Sequence, residues 1–204
     1  STNNVLGAAI PYSGEYGISK DPESFASEAY RAYFTDKVRG TVMRLSRDGL
    51  TAISDHGMKD WFRDNLKLST RIIGSYDDKK DEYNVTLKKL PISETVSFRE
   101  DVKGWVSFKS FIPENGLSCA NEYYTFQDGE IYKHHDNSVP SKILGLGRNM
   151  FYGDHTESSI EVILNDIPGS VKSFKTLNYE GSLQKIFDTN NVDNDGEYYN
   201  LIPQ

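Results

Sequence analysis

Residues 33–50 read YFTDKVRGTVMRLSRDGL and hold a strand, a turn, a second strand and a hairpin turn within eighteen residues. Thr41, Met43 and Leu45 fall on one side of an extended chain and Val42, Arg44 and Ser46 on the other, the period-two pattern of a strand with one buried face. Asp48-Gly49 suits the two positive-φ positions of a type I′ turn. Leu50–Ile53 is therefore expected to return as the next strand.

A related unit follows at residues 76–87, YDDKKDEYNVTL. Aligned without gaps, Phe34, Asp36, Lys37 and Leu45 fall on Tyr76, Asp78, Lys79 and Leu87, an offset of 42 residues. A further aromatic hairpin, YYTFQDGEIYKH, begins at Tyr123 and carries an Asp128-Gly129 turn. Spacing of this size matches a propeller blade of about 40 to 50 residues.

The composition agrees with a β fold. The chain has 204 residues, of which 37% are hydrophobic, and its 13 Tyr and 10 Phe against 2 Trp favour strands separated by frequent turns. A net charge of −7 argues against a surface that neutralises phosphates, so neither specific nucleic-acid binding nor attachment to anionic lipid is expected. Cys119 is the only cysteine and excludes an internal disulfide. Its expected role is that of a small buried or half-buried apolar residue. No apolar run approaches the roughly 18 residues that span a bilayer, and the start STNNVLGAAIPY lacks signal-peptide features, so no membrane insertion is expected.

Along the chain, residues 1–29 read as a loop-rich lead-in arm, 30–187 as a β-rich structural region and 188–204 as a polar tail. One short helix is expected near 55–66, capped by Ser54 or Asp55, because Met58, Trp61, Phe62 and Leu66 recur on one helical face. Residues 72–87 form a hairpin with a charged tip, and 95–98 and 105–111 form strands. Trp105 and Phe108 lie on opposite faces of the latter, as expected of a strand buried on both sides. Pro113–Gly116 reads as a turn, Tyr123–Phe126 and Glu130–Lys133 as a hairpin, and Asp136–Gly147 as a loop. Ser159–Leu164 and Val171–Leu177 read as strands about a Pro168-Gly169 turn.

No catalytic, cofactor-binding or metal-ligating residue is assigned. His134 and His135 are adjacent and point apart on a strand, and His56 and His155 lack partners at zinc spacing. The run DTNNVDNDGE offers Asp188, Asn190, Asp193 and Asp195 as oxygen donors. It misses the calcium-loop template, with Val192 at its fifth position and Asp193 where glycine belongs. Gly145-Leu146-Gly147 lacks the third glycine of a nucleotide fingerprint at the required spacing. Asn84-Val85-Thr86 is a formal glycan acceptor without a secretory context. Carboxylates are numerous enough for a glycosidase pair, but nothing selects two of them.

Several phrases carry a resemblance: PYSGEYGISKDPESF, YRAYFTDKVRGTVMRLSRDGLTAISDHGMKDWFRDNL, IIGSYDDKKDEYNVTL, VKGWVSFKSFIPENGLS and FKTLNYEGS. From about Pro11 to Tyr199 the chain resembles a segment of the large virion structural proteins of tailed bacteriophages, of marine cyanophage and crAss-like types. The resemblance implies a tail-associated structural protein, with hairpins stacked as in a propeller-like nozzle and with DGEYYNL continuing into further β structure of a longer protein. It transfers no catalytic motif.

The expected protein is mainly β, with antiparallel hairpins in propeller-like blades, about ten to fourteen short strands and one short helix. It is not expected to be an enzyme or to need a cofactor. The resemblance implies that it acts in the virion, assembled in the host bacterial cytoplasm, through contacts with other virion or tail proteins and with copies of itself. An alternative is a carbohydrate-binding or carbohydrate-cleaving module that recognises a host surface. A cell-surface adhesion propeller is a third reading and requires a secretory signal.

Overall fold

The computed structural model describes residues 14–136, 149–161, 163, 167–173 and 175. The chain divides into two compact units, Ser1–Ser159 and Ile160–Gln204. In the first unit, three antiparallel meanders follow one another. The first sheet comprises β1 (Ala26–Glu28), β2 (Arg31–Asp36), β3 (Thr41–Ser46) and β4 (Gly49–Ala52), each paired with the next. Helix α1 (Lys59–Leu68) leads to the second sheet of β5 (Arg71–Asp77), β6 (Glu82–Lys88), β7 (Glu94–Arg99) and β8 (Gly104–Lys109). A third sheet holds β9 (Asn115–Cys119), β10 (Glu122–Gln127) and β11 (Glu130–Lys133), and β12 (Met150–Phe151) pairs with β13 (Asp154–His155). The fold is thus mainly β, antiparallel, with one α-helix among the described residues.

The first strands of the three sheets start at Ala26, Arg71 and Asn115, 45 and 44 residues apart. The 42-residue offset read from sequence matches the β2–β3 hairpin to the β5–β6 hairpin, a slip of one strand within the sheet. Each of the two hairpins has a buried aspartate that caps its turn, Asp36 in the first and Asp77, the residue before the aligned Asp78, in the second. Asp36 accepts the Arg39 N–H at 3.0 Å, and Asp77 accepts those of Lys79 and Lys80 at 3.0 and 3.2 Å.

Turn chemistry separates the two Asp-Gly hairpins. Gln127 pairs with Glu130, leaving Asp128 (φ 53°) and Gly129 (φ 80°) as a two-residue turn with both φ positive, the type I′ pattern. At the other, Ser46 pairs with Gly49, so Arg47 and Asp48 occupy the turn and Gly49 (φ 104°) is already in β4. The expected type I′ turn at Asp48-Gly49 is therefore corrected: only the glycine takes positive φ, at the position that follows a tight turn. Ala120-Asn121 and Tyr152-Gly153 make further two-residue turns with positive φ at both residues.

Helix α1 begins at Lys59, later than the expected start near 55. Ile53–Asp55 forms a 3-10 turn and Gly57 takes φ 84°, so the chain changes direction before Met58 can act as N-cap, and neither Ser54 nor Asp55 caps the helix. The apolar face does bury Phe62 and Leu66. They pack with Tyr33, Val42, Ile53, Ile72, Tyr83, Leu87, Val96 and Phe98 in the core shared by the first two sheets. The lead-in packs on the first sheet: the Gly17 N–H donates to Asp36 at 3.1 Å, and Pro22–Ser24 forms a 3-10 turn leading directly into β1.

Strand β8 departs from the reading of a strand buried on both faces. Trp105 is half-buried, with its ring 4.4 Å from Phe62 and 5.3 Å from Phe98 and its indole N–H donating to the Ile53 carbonyl at 3.1 Å. Phe108 is 56% exposed and meets the edge of Trp61. The reason is a β-bulge: Ser107 pairs with Ser97 and Trp105 with Phe98, which leaves Val106 as the extra residue and turns Phe108, opposite Val96, to the same face as Trp105, at the rim of a terminal strand. Cys119, expected buried or half-buried, is exposed at the end of β9. Strand β9 itself begins inside the stretch read as a turn.

The second unit, within its described residues, shows the turn at Pro168-Gly169, where Ser170 N–H donates to the Ile167 carbonyl at 3.1 Å. The described residues of 159–164 and 171–177 carry no strand pairing, and Ile160, Ile163 and Val171 are exposed. Almost all of the 136–147 loop and the whole of the 188–197 run lie outside the described residues.

Candidate functional site

The sites weighed from sequence do not assemble. Asn84 is buried in β6, where its side-chain oxygen accepts from Ser97 at 2.5 Å, so the formal glycan acceptor faces inward. His56 meets the Lys103 carbonyl and His155 is exposed on β13. Among the described residues no three His, Cys, Asp or Glu side chains are grouped to hold a metal ion, and no helix is long and apolar enough to cross a membrane. Gly145 and Gly147 lie outside the described residues.

What the fold does assemble is a cleft of about 370 Å³ between the first strands of the three sheets. Its floor is Gly74-Ser75-Tyr76 of β5, and its walls are Phe25-Ala26-Ser27 and Gly116-Leu117-Ser118. Two glycines let the walls approach. A Cβ on Gly74 would lie 1.9 Å from the Ser24 carbonyl oxygen, and one on Gly116 would lie 2.9 Å from the Tyr123 hydroxyl and 3.0 Å from Ser75. Glycine inside a strand is the sequence signal for such close approach, and it was open to reading at both positions.

Each wall is a strand edge. β1, β5 and β9 are terminal strands of their sheets, so every second backbone N–H and C=O points away from the paired neighbour. Ser118 shows which groups these are on β5: its hydroxyl donates to the Tyr76 carbonyl at 2.8 Å and accepts the Asp78 N–H at 3.0 Å. Phe25 and Leu117, both about half exposed, flank the opening. Glu23 at the rim is ion-paired with Arg71, whose hydrogen bond holds the Glu23 carboxyl below its ordinary range.

Behind the cleft, a polar joint ties the third sheet to the second. Ser75 and Tyr123 share a hydrogen bond of 2.7 Å, and His135 Nε2 lies 2.6 Å from the buried Asp77 carboxylate. His134 Nε2 lies 2.7 Å from the Thr125 hydroxyl, which also meets the Tyr152 hydroxyl at 2.8 Å. Burial, reinforced by neighbouring His135, lowers the His134 pKa to about 4, so this imidazole is neutral at neutral pH. Burial also pushes the Tyr152 hydroxyl up to about 12. These groups are spent on each other: the two histidines point to different acceptors and converge on no open nucleophile.

No curated protein matches the chain. Family models do. The family model for the Crassvirus muzzle protein matches residues 11–129, the lead-in, the first two sheets and most of the third, and that for the Crassvirus muzzle protein C-terminal domain matches residues 147–201. A match over more than half the chain, on the phrases that build the sheets described above, places it: the chain belongs to the Crassvirus muzzle protein family and is a structural protein of crAss-like phages.

Proposed function

We propose that this protein is a tail-associated, non-catalytic part of the virion, assembled in the host cytoplasm, which acts through contacts with other tail proteins and with copies of itself. The observation that carries this reading is the set of open sheets. Among the described residues each of the three meanders ends on strands paired on one side only, and their first strands line one cleft. Unpaired edges and exposed apolar residues on β8 supply surfaces for neighbouring subunits. The engagement of the buried His, Asp and Tyr groups in structural hydrogen bonds supports a role without catalysis.

Immunogold labelling of intact particles with antibody to this chain tests the location, and crosslinking with mass spectrometry identifies neighbours. Label at the tail, with crosslinks from residues 104–109 to tail proteins or to second copies, is the expected result. Label confined to the capsid shell would overturn it.

A further inference from the structure

We propose that Asn115 is a site of spontaneous covalent modification, at which the chain converts its own side-chain amide to a carboxylate with water as the only co-reactant, and that the isoaspartyl product loosens the edge of the third sheet.

Asn115-Gly116 is the one Asn-Gly dipeptide in the chain. Glycine after asparagine leaves the following backbone nitrogen with no Cβ beside it, so that nitrogen can reach the carboxamide unobstructed. The fold then holds the two groups together. β9 ends its sheet, and the alternation of the ladder directs the Gly116 N–H away from β10. That N–H donates to Asn115 Oδ1 at 2.8 Å, which sets the nitrogen beside Cγ, the carbon bonded to that oxygen. Asn115 is exposed at the mouth of the cleft and open to water. Reacting groups held this close react as an intramolecular pair, without the entropy cost of an encounter.

The other asparagines of the first unit differ. Asn84 is buried and precedes Val85. Asn65 lies in α1, where its Nδ2 donates to the Trp61 carbonyl at 2.8 Å and its Oδ1 accepts from Lys89. Asn121 is exposed but precedes Glu122.

Base removes the Gly116 amide proton, the nitrogen bonds to Asn115 Cγ, and the Cγ–Nδ2 bond breaks, with Nδ2 taking up a proton and leaving as ammonia. One water then opens the five-membered imide. Cleavage at Cγ gives aspartate, and cleavage at the α-carbonyl gives isoaspartate, whose main chain runs through Cβ and Cγ. Nothing is oxidised or reduced: amide and water become carboxylate and ammonia. Isoaspartate lengthens the backbone of β9 opposite Phe126, next to Gly116, where the Ser75 side chain already limits the space.

The test keeps the full 204-residue chain in mildly alkaline buffer and maps digests by mass spectrometry over time. We expect the amide-to-carboxylate mass gain at Asn115 to run at least about fivefold faster than at Asn121, Asn65 or Asn84, and within about tenfold of its rate in the chain unfolded by urea. Asn115→Gln, an exposed change whose longer side chain must close a six-membered ring, should stop the gain in that peptide. The isoaspartyl form should lose hydrogen-exchange protection along β9 that Asn115→Asp, with the same charge on a normal backbone, retains. A smaller lead over Asn121, a native rate further below the unfolded one, continued gain in Asn115→Gln, or equal protection in the isoaspartyl and Asn115→Asp chains would each overturn the inference.

Discussion

The two joints between successive sheets are built from different chemistry. Between the first and second, Tyr33 stacks on Tyr83 at 4.8 Å and on Tyr76 at 5.7 Å, while Phe62, Leu66 and Trp105 fill the space under α1. The side-chain hydrogen bonds there are few: the Tyr33 hydroxyl donates to Glu100 at 2.9 Å, Arg44 holds the other Glu100 oxygen at 2.8 Å, and the Tyr83 hydroxyl donates to the Ser24 carbonyl at 2.7 Å. Between the second and third sheets, direct bonds dominate: Ser75 to Tyr123, Ser118 to Tyr76, His135 to Asp77 and Lys79 to Glu122. A joint held by apolar burial depends on volume and shape, because that force has no direction. One held by hydrogen bonds and imidazoles depends on angle and on protons. The first should therefore be the stiffer and the less sensitive to pH.

The largest expected effect is at the first joint. Phe62→Ala empties a fully buried ring site between the helix and both sheets and should cost about 3 to 5 kcal/mol, whereas Phe108→Ala at the exposed rim of β8 should stay within about 0.5 kcal/mol. Urea unfolding of both variants measures the contrast, and equal losses would mean that the rim at Phe108 is covered by further packing.

The next largest compares the two glycines. A Cβ at Gly74 meets backbone at 1.9 Å, which cannot move aside without displacing β1, so Gly74→Ala should cost about 3 kcal/mol. At Gly116 the nearest atoms are the Tyr123 hydroxyl at 2.9 Å and the Ser75 side chain at 3.0 Å, with no backbone as close as at Gly74, and about 1 to 2 kcal/mol is expected. A reversal of that order would show that the first joint is the more yielding of the two.

Acidification should act on the second joint. The folded pKa of His134 is lowered to about 4 from 6.5, so between these values the unfolded chain binds a proton that the native state excludes. Stability is therefore full above about pH 6.5, falls as pH drops towards 4 and levels off below it, with a ceiling of about 3 kcal/mol from this group. Hydrogen exchange at pH 7 and pH 5 should show β9–β11 losing protection before β5–β8. His134→Phe should flatten the difference, and uniform loss across both sheets would contradict a separable joint.

Smallest is Tyr123→Phe, which removes the bond to Ser75 and keeps the ring. It should cost about 1 kcal/mol, read by thermal unfolding, and a loss of about 3 kcal/mol or more would mean that Ser75 is left buried without any alternative partner.

Much of the β structure was legible because it is locally encoded. Alternation at 41–46, the charged tip at 78–81 and Asp128-Gly129 each mark a strand or turn within a few residues, and the structure places β3, the β5–β6 loop and a type I′ turn there. Where local signals were ambiguous the reading slipped. Asp48-Gly49 contains the right dipeptide in a different register, since pairing of Ser46 with Gly49 is fixed by the whole β3–β4 ladder. The aromatics of β8 suggested burial on both faces, but a bulge at Val106 turns Phe108 to the side of Trp105, and the edge position leaves it exposed.

The cleft illustrates the same limit. Gly74, Gly116, Ser118 and Asp78 were all visible as residues, and none carries a spacing that singles it out, because their partners lie about 40 or more positions away. Sequence by itself determined that this chain makes antiparallel hairpins, that α1 would present Phe62 and Leu66 on one face, and which virion proteins it resembles. Only the tertiary structure decided the phase of the repeat, the bulge that turns Phe108 to the side of Trp105, and the meeting of three strand edges around Gly74. Hairpin pairing is set by neighbours a few residues apart, whereas the stacking of sheets is set by steric fit between segments that no local pattern connects.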